Sequence, residues 1–196
     1  MFIKKFYHRG SMELFEAIHG RQTISKVKQD EVSRELIEKI LSAAVQAPNH
    51  YKVRPWRFVV LTGDGRKKLG DVFAASFLER NPATPPEGLD KTRALPLRAP
   101  VLIAVAADKP SEPKHIEVEN ISAASAAAYI MLLTANALGL GAIIRTGEWA
   151  RDPKVKEFLG FEADQHIIGF IYIGYPDVTP EPYVREGFED RTVWMD

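Results

Sequence analysis

The stretch ISAASAAAYIMLLTANALGLGAII, residues 121–144, runs 24 residues without a charged side chain, and its reading decides the fold. It is long enough to span a bilayer. Yet Ser122, Ser125, Thr134 and Asn136 interrupt its apolar surface, and Gly139-Leu140-Gly141 is a helix stop followed by the β-branched pair Ile143-Ile144. The pattern predicts helix, turn and strand in a soluble protein, with the helix from about Ile116 to Leu138 and the strand at Ala142 to Ile144. A helix apolar all round must be surrounded by protein. Ala123, Ala124, Ala126, Ala127 and Ala128 leave shallow surfaces for close helix contact, and one chain of 196 residues has little material to cover them all.

Outward from this run, Glu13 to His19 reads as a helix stopped by Gly20, and Asp30 or Ser33 caps a second helix through Val45, ended by Pro48. Trp56 to Thr62 reads as a strand closed by a tight turn at Gly63-Asp64-Gly65, with a helix from Lys67 to Arg80. Three prolines in Asn81 to Pro86 predict a loop or lid. Pro100 to Ala107 and His166 to Ile173 read as strands, Pro153 to Leu159 as a short helix, and the tail Gly174 to Asp196 as irregular. Strands and helices neither alternate strictly nor segregate, so the expectation is an α+β domain with a sheet of four or five strands. Its Trp194-bearing tail should fold back or reach a partner subunit. Residues 1–11 read as an expression tag or disordered extension, because Gly10-Ser11-Met12 resembles a junction before a second start; residues 12–196 form a single domain.

Charge narrows the function. Lys plus Arg and Asp plus Glu are both 26, so no long-range field draws a polyanion and a broad nucleic-acid face is not expected. No cysteine occurs, which removes disulfides, thiolate nucleophiles and iron–sulfur clusters and points to the cytoplasm. The five histidines include no i, i+4 pair for a metal. Gly139-Leu140-Gly141 lacks both the third glycine and the strand-to-helix order of a dinucleotide fingerprint. A phosphate loop and a serine nucleophile elbow are absent, and His115-Ile116-Glu117 lacks the cysteines of a zinc deaminase. Two clusters remain: Arg21-Gln22-Thr23-Ile24-Ser25-Lys26 after the first helix, and Gln46-Ala47-Pro48-Asn49-His50 leading to Pro55-Trp56.

With Gly139-Leu140-Gly141 running to Arg145-Thr146, and with Arg185 in the tail, these clusters resemble the nitroreductase family of flavin enzymes, most closely its small single-domain bacterial members. The resemblance spans nearly the whole chain from Met12. It implies a nitroreductase-like α+β fold with a mainly antiparallel central sheet flanked by helices, and a homodimer with the apolar helix at its centre, an exchanged C-terminal tail and one FMN in each interface pocket. Carried onto this chain, it implies that Arg21 holds the FMN phosphate and that Gln22 and Thr23 line the phosphate and ribityl chain. Arg145, Thr146 and Arg185 complete the anion pocket, Gln46 and His50 reach the flavin of the other subunit, and Ile144 lies against it by its backbone. Larger members carry Ser near Asn49, Asn where Lys52 stands and Gln where Arg54 stands.

The implied activity is transfer of electrons from NAD(P)H through FMN to nitroaromatics, quinones or related small acceptors, by a ping-pong route with no catalytic side chain and no metal. A non-catalytic flavin-binding dimer or sensor, and a reductive dehalogenase of the same fold, are the alternatives. The protein must also supply a cation near flavin N1 and O2, for which Lys26, Lys52 and Arg54 are the candidates.

Overall fold

Seven consecutive buried residues, Val101 to Ala107, form a strand that is apolar on both faces and therefore needs cover on both. The computed structural model, which describes residues 12–181 and 183–195, meets that need with helices on either side of one sheet. The expected extension at 1–11 lies outside the described residues. In chain order the elements are α1 (Leu14–Gly20), α2 (Arg34–Ala44), β1 (Trp56–Leu61), α3 (Gly63–Arg80), α4 (Pro86–Arg93), β2 (Val101–Ala107), α5 (Glu117–Ala137), β3 (Gly141–Arg145), α6 (Pro153–Phe158) and β4 (His166–Gly174). Short 3-10 turns occur at His50–Lys52, Leu95–Arg98, Glu148–Ala150 and Glu189–Arg191.

The sheet order is β1-β2-β4-β3, and every neighbouring pair is antiparallel, as the resemblance implied. Alternation splits the core in two. Ile103, Val105, Ile171 and Ile173 pack with Trp56 against α2 and α5, through Ile40, Ala124 and Met131. Leu102, Ala104, Phe170 and Tyr172 face the opposite way, onto Leu69 and Phe73 of α3 and Val155 of α6.

Two helix starts differ from expectation. Gly63-Asp64-Gly65 is the first turn of α3 rather than a separate turn: Gly63 takes φ +45°, which reverses the chain at once, and the helix begins there instead of at Lys67. The proline-rich segment is irregular only to Pro85. Pro86 occupies the first turn of α4, where its missing N–H costs nothing. The cap of α2 is Ser33, whose Oγ accepts from Leu36 N.

Helix α5 has mean hydropathy 1.3, long and apolar enough by length and composition to cross a membrane, but only 44% of that stretch is buried within the chain. Ala123, Ala124, Ala127, Ala128, Met131 and Ala135 face the sheet and α2. Val118, Ser122, Ser125 and Tyr129 form an open stripe along the other side. The tail is open as well: Val184, Val193 and Trp194 are 90, 80 and 79% exposed. Below α5, the segment after α1 runs beside the start of β3, where Ile24 N donates to Ala142 O at 3.0 Å. Gly141 allows this approach, since a Cβ there would lie 2.7 Å from Ile24 Cγ2.

Candidate functional site

Helix α1 stops when Arg21 turns extended, at φ −63° and ψ 124°. The tail closes over this point. Arg185 Nη2 donates to Arg21 O at 2.9 Å, and Gln22 Nε2 donates to Glu181 O at 3.1 Å. Arg21 Nε is buried and has no hydrogen-bond partner among the described residues. An unsatisfied buried N–H is costly, so this corner presents a donor looking for an acceptor. Thr23, two residues on, is exposed.

A second group of predicted residues gathers at the end of β3. Ile144, Arg145 and Thr146 line a cavity of about 330 Å³ with Arg98, Trp149 and Tyr172. Trp149 stacks on Phe73 with ring centroids 4.2 Å apart and planes inclined by 8°, which gives the cavity an aromatic wall. Burial pushes the Tyr172 hydroxyl above its ordinary range, while Arg145 and Arg98 pull it back down. Neither Arg21 nor Arg185 lines the cavity that Arg145 borders. Arg98 and Tyr172 were not foreseen. They sit in a Leu-Pro-Leu-Arg turn and an apolar strand with no motif, and the one available signal was a cation placed directly before an all-apolar strand.

The third group is the loop after α2. Gln46 Nε2 donates back to Ser42 O at 3.3 Å. His50 Nδ1 lies 3.2 Å from Glu119 Oε1 of α5, and His50 with Pro48 and Asn49 walls a cleft of about 380 Å³ against Val118, Ser122 and Ala126. Tyr51, Lys52 and Arg54 adopt φ of 51, 56 and 53°, the left-handed region that side chains rarely occupy. Asn49 Oδ1 accepts from Arg54 N at 2.8 Å and holds the loop together. Lys26, Lys52 and Arg54 are all exposed. Within one chain, no hydrogen bond or ion pair among the described residues links this loop to the Arg21 corner or the β3 cavity.

The Nitroreductase family profile matches residues 18–175. An Escherichia coli (strain K12) protein described as "Putative NAD(P)H nitroreductase YdjA" is 30% identical over 167 residues, covering 85% of this chain and 90% of its own. The solved nitroreductase-like family protein from Bacillus cereus superposes with TM-score 0.82 at 27% identity, over 97% of this chain and 100% of the other. A Desulfovibrio desulfuricans protein, described as a "putative nitroreductase in complex with fmn", gives TM-score 0.72 at 27% identity over 93% and 96% of the two chains. Sequence match, sheet topology and helical layers agree, and the chain belongs to the nitroreductase family.

Proposed function

We propose that the chain is an FMN-dependent oxidoreductase that takes electrons from NAD(P)H and passes them to small acceptors such as nitroaromatics or quinones by a ping-pong route, as a cytoplasmic homodimer. The observation that carries the FMN reading is Arg21: its guanidinium Nε is buried and unsatisfied, at a corner where Arg185 Nη2 donates to the Arg21 carbonyl oxygen and Thr23 is exposed. No acid is paired with Arg21 or Arg185 among the described residues. That donor set fits a terminal phosphate, which accepts charge-assisted hydrogen bonds from guanidinium.

When bound, FMN supplies the hydride-accepting and electron-releasing chemistry. The chain's own residues do the rest. Arg21, Gln22, Thr23 and Arg185 anchor the phosphate and ribityl chain, while Ile144 and Thr146, with Arg145, border the ring at the β3 cavity. The open stripe of α5 favours a second copy, because its exposed Val118 and Tyr129 and its small serines suit close helix contact with a symmetry mate. In that arrangement Gln46 and His50, unattached to the other two groups within one chain, serve the partner's cofactor. The exposed Val193 and Trp194 give the tail apolar side chains to bury on the other subunit.

The test is titration of purified protein with FMN, followed by anaerobic addition of NADH or NADPH. One FMN per chain, a sedimenting dimer and bleaching of the flavin by either nicotinamide are expected. A protein that takes up no FMN ends this reading, and bound FMN that neither nicotinamide reduces favours the non-catalytic alternative.

A further inference from the structure

His50 faces an acid that no sequence motif marked. Its Nδ1 lies 3.2 Å from Glu119 Oε1, and the two side chains wall the same cleft of about 380 Å³. Glu119 is 25% exposed against 66% for His50, so the carboxylate is the sheltered partner and the imidazole the open one. Local structure fixes both ends. Glu119 belongs to the first turn of α5, where negative charge suits the helix dipole, and its backbone N–H donates to Ile116 O at 3.1 Å. His50 opens the 3-10 turn of the strained loop, directly after Asn49, whose side chain ties that loop to Arg54 N.

The neighbouring groups are engaged elsewhere. Tyr51 meets His50 edge-on at 6.4 Å and leans on His115 with ring centroids 5.6 Å apart, while Lys114 lies over its ring and binds Glu112 at 2.9 Å. Glu117, two residues before Glu119, pairs with His166 Nε2 at 2.7 Å. Helix α5 thus starts with two Glu–His pairs aimed at different elements, one at the first residue of β4 and one at the loop after α2. A neutral imidazole carries hydrogen on one nitrogen only. A carboxylate facing Nδ1 favours hydrogen there and leaves Nε2 as an acceptor on the far side of the ring.

We propose that Glu119 is a positioning residue for the cofactor site: it holds the His50 ring in one orientation and one tautomer, so that Nε2 is presented to the flavin bound by the other subunit. This rests on the FMN reading, and within it on His50 serving the partner's cofactor. Helix α5 gains a second task. The helix whose open stripe meets the second copy carries, on its first turn, the acid that orients the side chain reaching that copy. Without Glu119 an imidazole that is 66% exposed has little else to stop it rotating and offering either nitrogen.

The experiment uses the full chain with isotope-labelled histidine nitrogens and the variants Glu119→Ala, Glu119→Gln, Glu117→Ala, His50→Ala and the combination of Glu119→Ala with His50→Ala. Two quantities are measured: the tautomer of neutral His50 in flavin-free protein, read from its ring nitrogen resonances, and the dissociation constant of oxidised FMN. In the wild-type chain the hydrogen should reside on Nδ1. Glu119→Ala should move it to Nε2 and weaken FMN about fivefold, the equivalent of one hydrogen bond. Glu119→Gln, whose amide oxygen still accepts, should keep the Nδ1 tautomer and recover most of the affinity. Glu117→Ala, which releases His166 instead, should change neither quantity. On the His50→Ala background, Glu119→Ala should bring no further loss. An Nε2 tautomer already present in the wild-type chain overturns the proposal, as does unchanged FMN affinity in Glu119→Ala. So does a combined variant whose loss is the product of the two single losses, which would make the two residues independent. A wild-type chain that binds no FMN overturns the functional reading and the proposal with it.

Discussion

Two arginine-bearing corners meet at Trp149, and they are built in opposite ways. On one side Arg80 lies over the indole ring, 5.2 Å from its centroid, and reaches Glu148 at 2.5 Å and the buried Asp152 at 3.3 Å. Asp152 also accepts from Ser76 Oγ and from Lys154 N and Val155 N at the start of α6. Each polar group there has its partner, and the product is a tie between α3 and α6. On the other side Arg98 and Arg145 face a cavity with no countercharge among the described residues. The compensated corner ties α3 to α6, whereas the guanidiniums of the uncompensated one are left to solvent and to the cavity they line.

The sharpest way to break this contrast is Asp152→Ala. It removes a helix cap and leaves Ser76 and Arg80 without their acceptor, so unfolding in urea should show a loss of about 3 kcal/mol. A loss under about 1 kcal/mol would deny this corner its structural role. Arg21→Ala makes the complementary test at a third corner. FMN binding should weaken by about 1.5–3 kcal/mol, because a charge-assisted phosphate bond is lost, while the urea midpoint of the flavin-free protein hardly moves. A fall in stability with unchanged FMN affinity would reverse that assignment.

Smaller effects probe the uncompensated side. Since burial raises Tyr172 above its unfolded value of 10.0, the folded chain keeps this proton after the unfolded chain has lost it. Its contribution is fully present below pH 10 and falls as pH rises beyond it, with a slope approaching about 1.4 kcal/mol per pH unit. Tyr172→Phe should flatten that alkaline limb. Smallest of all, Arg98→Met should leave flavin-free stability within about 0.5 kcal/mol, since Arg98 is exposed and no hydrogen bond or ion pair among the described residues is lost. It should also move Tyr172 ionisation to still higher pH in an absorbance titration. Destabilisation comparable to Asp152→Ala would show that Arg98 has a structural partner after all.

What the sequence disclosed divides along the same line. The charge-free run, the apolar strand Val101 to Ala107 and the Ser33 cap are local patterns, and the elements they predicted stand where expected. Helix α4 was hidden because three prolines in six residues read as a breaker, although proline suits a first helical turn. Arg21-Gln22-Thr23 stood out in the sequence as a polar cluster after a helix, and its role at a phosphate belongs to the proposed function. The cavity lined by Arg98 and Tyr172 was illegible, because antiparallel pairing of β2, β4 and β3 brings together segments remote in the chain. Asp152 carried a readable cue before Pro153, but its bond to Ser76 spans 76 positions and no spacing rule reaches that far.

The left-handed residues of the loop after α2 carry a consequence for the rate at which two chains meet. Each such residue other than glycine costs about 1 kcal/mol, and Tyr51 at 62% exposure has little packing to hold it there. Asn49, through its hydrogen bond to Arg54 N, and the bond from Val53 N to His50 O at 3.1 Å therefore fix the shape jointly. Losing the Asn49 amide would leave the Val53 N to His50 O bond as the remaining tie on the three strained residues. In the proposed dimer the encounter takes place with the loop already shaped by these bonds within one chain. Its ordering entropy is spent during folding, and association is not slowed by a search among loop conformers.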